Sequence, residues 1–67
     1  METMQSRIKT IRGQKSLKTM AELIGMTKSS YDRCERGEQE FKAEDIKNIC
    51  KQFNISADFL LFGRSTN

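Results

Sequence analysis

Two sets of side chains in this 67-residue sequence are of types that do chemistry. Asp32 and Glu35 are carboxylates one helical turn apart, the least that paired acid and base work requires. The second set is Arg7, Lys9, Arg12, Lys15, Lys18, Lys28 and Arg33: seven cations against three acids in residues 1–33, where residues 34–67 hold five cations against six acids. The net charge of +3 is therefore gathered in the first half. Cations so gathered can meet phosphates, the contacts that dominate nucleic-acid affinity. The same residues also suit ordinary solvated helix faces.

Missing residue types narrow the field. The sequence has no histidine, which removes the commonest general base near neutral pH, the usual triad base and the commonest zinc ligand. It has no glycine loop of phosphate-binding pattern, and 67 residues with 36% hydrophobic content build one modest core without a deep pocket. No enzyme is expected, and no catalytic residue, metal, cofactor or small-molecule substrate. Cys34 and Cys50 are too few for a disulfide framework and form no CxxC pair, as suits a reducing compartment. The longest apolar run, Phe59 to Phe62, is far short of a bilayer span, and Met1 to Thr10 holds no apolar leader segment. A cytoplasmic location without membrane contact is expected.

The elements that must position these groups are short helices. Gly13, Gly25, Gly37, the Asn54 region and Gly63 divide the chain into five stretches of helical periodicity. In the first, Met4, Ile8 and Ile11 make an apolar face, Arg7, Lys9 and Arg12 point elsewhere, and the helix ends near Gly13. Ser16 caps the second, whose Met20, Ala21 and Ile24 form one stripe before Gly25 stops it. Thr27 caps the third, with Tyr31 and Cys34 facing inward and Gly37 closing it. Glu44 and Asp45 favour the start of the fourth, which carries Ile46, Ile49, Cys50 and Phe53. Ser56 caps a last short helix bearing Phe59, Leu60 and Phe62. Both cysteines fall on apolar stripes and read as buried small hydrophobes. The expectation is a single all-α, five-helix domain over residues 1–67, with 1–5 and 64–67 as frayed tails.

The informative constellation surrounds Gly25. Ala21 is a small residue where two helices cross closely, Gly25 makes the tight turn, and Tyr31 and Cys34 seat the second helix, the spacing a helix-turn-helix requires. Together with Arg7-Ile8-Lys9-Thr10-Ile11-Arg12, Met20-Ala21-Glu22-Leu23-Ile24-Gly25-Met26-Thr27, the Glu35-Arg36-Gly37 ending and Ile55-Ser56-Ala57-Asp58-Phe59-Leu60-Leu61-Phe62-Gly63, it gives the chain its family likeness. Over roughly residues 6–63 the sequence resembles the Cro and lambda-repressor-like (XRE-like) helix-turn-helix family of phage and mobile-element regulators. The resemblance implies a sequence-specific repressor or Cro-like regulator with its third helix in the major groove of double-stranded operator DNA. Lys28, Ser29, Asp32 and Arg33 would then face base edges. Arg12, Lys15, Ser16, Lys18, Thr27, Arg36 and Lys42 would position the backbone.

The sequence also departs from the family. Leu17 stands where a glutamine commonly touches phosphate, though it falls on the apolar arc and also suits the core. Leu23 lies outside that arc at a usually polar position, so Leu17 and Leu23 are candidates for a protein-partner surface. Phe41 and Lys42 replace the usual proline and hydroxyl cap, which leaves the fourth helix without a standard cap. Tyr31 replaces a small aliphatic residue, its hydroxyl needing water or a carbonyl. These departures keep two further readings open: an antirepressor or modulator that binds a partner repressor through its helix-turn-helix face, and an antitoxin. A homodimer or a complex with a repressor is the expected assembly, because nothing in 67 residues provides a separate dimerisation domain.

Overall fold

The computed structural model describes residues 3–63, which form five helices and no strand. They are α1 (Met4–Arg12), α2 (Leu17–Ile24), α3 (Lys28–Glu35), α4 (Ala43–Phe53) and α5 (Ala57–Phe62). Four start where a hydroxyl caps them: the side chains of Thr3, Ser16, Thr27 and Ser56 accept from the backbone N–H three residues on. Residues 3–5, expected in a frayed tail, are instead the cap and first turn of α1, because Thr3 satisfies the Ser6 N–H at 3.1 Å. Residues 64–67, the other expected tail, lie outside the described residues.

The fourth helix is capped from within. Lys42 supplies no acceptor, but Asp45 reaches back to accept the Lys42 N–H at 3.0 Å, one half of a capping box. The acid that favours the helix N-terminus is thus also its cap.

Apolar faces of all five helices meet in one core of Ile8, Met20, Ala21, Ile24, Tyr31, Cys34, Ile49 and Leu60, with Phe41 closing it from the α3–α4 loop. The Phe41 ring meets Tyr31 edge to face at 6.1 Å. Helix α1 packs on α3 and α5, α2 on α3 and α4, and α4 on α5. The turn between α2 and α3 closes on Gly25, at φ +76°, with the Met26 N–H bonded to the Ala21 carbonyl at 2.9 Å, a Schellman closure that needs a left-handed residue. Ala21, 1% exposed, lets α2 and α3 approach. Asn48 of α4 donates its side-chain amide to the Ile24 carbonyl at 3.2 Å and ties down the end of α2.

Two arginines do not point outward as expected. Arg7 is 6% exposed, and its guanidinium donates to the carbonyls of Leu60 at 2.8 Å and Leu61 at 3.0 Å, holding α5 against α1. Arg12 donates through Nε and Nη2 to the two carboxylate oxygens of Glu35, at 2.8 and 2.9 Å, and through Nη1 to the Lys15 carbonyl. The Tyr31 hydroxyl donates to the same carboxylate, where water or a carbonyl was expected as its partner.

Candidate nucleic-acid interface

Helix α3 has two unlike sides. Tyr31 and Cys34 are fully buried, while Lys28, Ser29, Arg33 and Arg36 are exposed and Asp32 is half-buried. Positions 28, 29, 32, 33 and 36 share one face of a 3.6-residue helix, so the fold brings the four expected base-facing residues onto a single outward stripe. The Thr27 hydroxyl accepts the Ser30 N–H at 3.1 Å and fixes the first turn of that stripe.

The expected backbone-facing residues separate into those at helix starts and those already engaged. Ser16 and Lys18 stand at the exposed start of α2, Ser16 accepting the Thr19 N–H at 3.1 Å and donating to the Thr19 hydroxyl at 3.0 Å. Thr27 and Lys42 begin α3 and α4, and they line one shallow cleft of about 210 Å³ with Ser30, Gln39 and Asp45. Two helix starts therefore open on the same depression, each already capped by a side chain, the Ser30 N–H by Thr27 and the Lys42 N–H by Asp45. Sequence reasoning passed over Gln39, whose place in this cleft depends on the course of the α3–α4 loop.

Arg12 does not fit that set. Its side chain is 17% exposed and its ion-pair partner Glu35 is 8% exposed, so its donors serve the fold. The ammonium of Lys15 lies 5.4 Å from the centre of the Phe53 ring, over α4. Arg36 is flanked by two acids, with Nη2 3.4 Å from Asp32 Oδ2 and Nη1 3.4 Å from Glu38 Oε2.

The carboxylate pair noted in the sequence is divided by its surroundings. Burial pushes the Glu35 carboxyl up, but hydrogen bonds from Arg12 and Tyr31 outweigh it and hold the group below the usual carboxylate range. Burial first, then the hydrogen bond to Glu35, drives the Tyr31 phenol far above its ordinary value. Glu35 is thus an ionised structural anchor while Asp32 faces out, and the two make no acid–base couple. Burial pushes the thiols of Cys34 and Cys50 up, the reverse of what activates a nucleophile. Among the described residues no cluster of His, Cys, Asp and Glu could hold a metal ion, and no helix is long and apolar enough to cross a membrane.

The two leucines fare differently. Leu17 packs against the core, whereas Leu23 is 38% exposed and borders an open groove of about 520 Å³ with Glu22, Asn48, Lys51 and Gln52. This groove lies between α2 and α4 and includes no residue of the α3 stripe.

Comparison with curated proteins and with solved structures finds no match. A family model described as helix-turn-helix matches residues 8–60, from the first buried residue of the α1 apolar stripe through the last core residue, Leu60. With its five helices and the glycine turn between α2 and α3, the chain belongs to the Cro and lambda-repressor-like helix-turn-helix family of DNA-binding regulatory domains.

Proposed function

We propose that this chain is a sequence-specific DNA-binding transcriptional regulator of the repressor or Cro type, with α3 laid in the major groove. The observation that supports the reading is the outward stripe of α3, opposed on the same helix by the fully buried Tyr31 and Cys34. Lys28 and Arg33 suit guanine O6 and N7, Asp32 suits cytosine N4, and Ser29 can donate or accept. Ser16, Lys18, Thr27 and Lys42 take phosphates. Lys15 joins them, since a surface cation–π contact is weak, and Arg12 does not. Two free cysteines that form no disulfide suit a reducing cytoplasm.

A single small module buries only about 600–1,000 Å² on DNA, so tight operator binding needs two copies on a palindrome. Phe59, Leu61 and Phe62 are 36%, 40% and 59% exposed on α5, an apolar surface suited to that pairing. The affinity for duplex DNA selected from a random pool should fall steeply with salt. Arg33→Ala should lose about tenfold on the selected site and less on random DNA. Equal wild-type affinity for selected and random duplexes overturns the proposal.

The exposure of Leu23 beside the α2–α4 groove supports a second reading, in which this face docks on a partner repressor. Co-purification with a repressor, abolished by Leu23→Glu, would favour it; a complex indifferent to that change would count against it.

A further inference from the structure

Among the outward residues of α3, Asp32 has the chemistry least suited to DNA. Lys28 and Arg33 donate and Ser29 does both, but an ionised carboxylate only accepts. Beside a polyanion it opposes binding to any sequence. Facing guanine O6 or N7, or thymine O4, it sets acceptor against acceptor, and it is relieved only where a base offers an amino group, cytosine N4 or adenine N6. An acid at this place therefore costs affinity generally and yields discrimination at one base pair, as repulsive elements do in other specific interfaces.

Such a reader must be aimed. Arg36, one turn on, brings Nη2 to 3.4 Å from Asp32 Oδ2. It is held from its other side by Glu38, 3.4 Å from Nη1. Glu38 is itself placed by the end of α3: Gly37 turns the backbone at φ +82°, and the Glu38 N–H returns to the Arg33 carbonyl at 2.9 Å. Asp32 is also the least exposed of the three, at 37% against 56% for Arg36 and 57% for Glu38.

Building on the DNA-reading role proposed above, we infer that Asp32 is a specificity-determining residue and that Arg36 is its positioning residue instead of a phosphate contact. Arg36 orients the carboxylate and balances its charge, with Glu38 anchoring the guanidinium. The two alternatives for Arg36 leave different traces. A phosphate contact contributes on every sequence and adds about one to the slope of affinity against salt. A positioning residue acts at one base pair and only through Asp32.

The experiment is selection from a random duplex pool with the wild type, Asp32→Asn, Arg36→Ala, Arg36→Lys and the double variant Asp32→Asn/Arg36→Ala. Circular dichroism melting of each confirms folding, and salt titrations follow on the wild-type site. Asp32→Asn and Arg36→Ala should relax preference at the same base-pair position by about tenfold. The double variant should add nothing beyond Asp32→Asn, Arg36→Lys should keep part of the preference, and the salt slope should be unchanged in Arg36→Ala. A uniform loss of affinity in Arg36→Ala with a shallower salt slope makes Arg36 a phosphate contact and overturns the inference. An unchanged motif in Asp32→Asn overturns it as well. Should the wild type enrich no motif, the DNA-reading role itself fails and the inference fails with it.

Discussion

At the scale of single residues, the chain divides its charges between fold and surface. Glu35 collects Arg12 and the Tyr31 hydroxyl at the junction of α1 and α3. Replacing it with alanine strands a largely buried guanidinium and a buried phenol. Glu35→Ala should cost roughly 2–3 kcal/mol in denaturant melts, below the 3–5 of a fully buried pair because Arg12 keeps some solvent. The pH dependence has a definite sign. A carboxyl held below its ordinary value contributes stability that is fully present above about pH 4.5 and is lost as pH falls through the folded-state value. Tyr31, driven upward, contributes below about pH 10 and loses that contribution as pH rises further. Melting temperature should therefore fall in acid, and Glu35→Gln should flatten that fall while being less stable at neutral pH; an acid limb identical to wild type would remove Glu35 as its cause. Arg7→Met leaves two α5 carbonyls without their donor and should cost roughly 2 kcal/mol in the same melts. A loss within experimental error would show that solvent serves those carbonyls as well.

These two arginines also mark how far the sequence could be read. Arg7 stands three residues after Met4 and four before Ile11, at the edge of the apolar arc of α1, so its spacing was a signal that it can be drawn inward. Arg12 and Glu35 are 23 residues apart, and only the packing of α1 on α3 brings them together. Local pattern carries the helices, the caps Ser16, Thr27 and Ser56, and the inward Tyr31 and Cys34. It does not carry which cation finds a buried partner, because that depends on helix-to-helix geometry.

At the scale of elements, the α2–α3 turn decides where the α3 stripe points. Gly25 adopts a left-handed conformation, and a Cβ built on it would meet nothing closer than Asn48 Nδ2 at 4.0 Å. The penalty for Gly25→Ala is thus conformational and not steric, about 1 kcal/mol. The variant should melt a few degrees lower while keeping wild-type DNA affinity at a temperature where it is folded. A large affinity loss without unfolding would mean that the turn shifts α3. In the fourth helix the sequence correctly denies Lys42 a capping role and correctly places Asp45 in the first turn, yet the return hydrogen bond from Asp45 shows that the helix is not uncapped. In helix α5 Leu60 alone is fully buried, and Phe59, Leu61 and Phe62 are exposed, a division the sequence reading left open. A six-residue helix against a small core has one fully buried position.

At the scale of the molecule, a net charge of +3 is modest for a DNA binder, and Arg12, paired with Glu35, is not among the cations left to meet phosphate. In the proposed function, affinity comes from few phosphate contacts multiplied by pairing of copies. Leu61→Glu, on the exposed side of α5, should leave the monomer folded by circular dichroism yet convert cooperative occupancy of a palindrome into weak, independent half-site binding in gel shifts; cooperative binding retained would place the pairing surface elsewhere. The central claim, that the outward side of α3 meets DNA, is tested most directly by a backbone amide NMR titration of the wild-type protein with its selected duplex. Shifts should concentrate on residues 27–36 and on the start of α2, with Lys51 and Gln52 unmoved. Shifts centred on the Leu23 groove, with Lys28 to Arg33 unmoved, would contradict it.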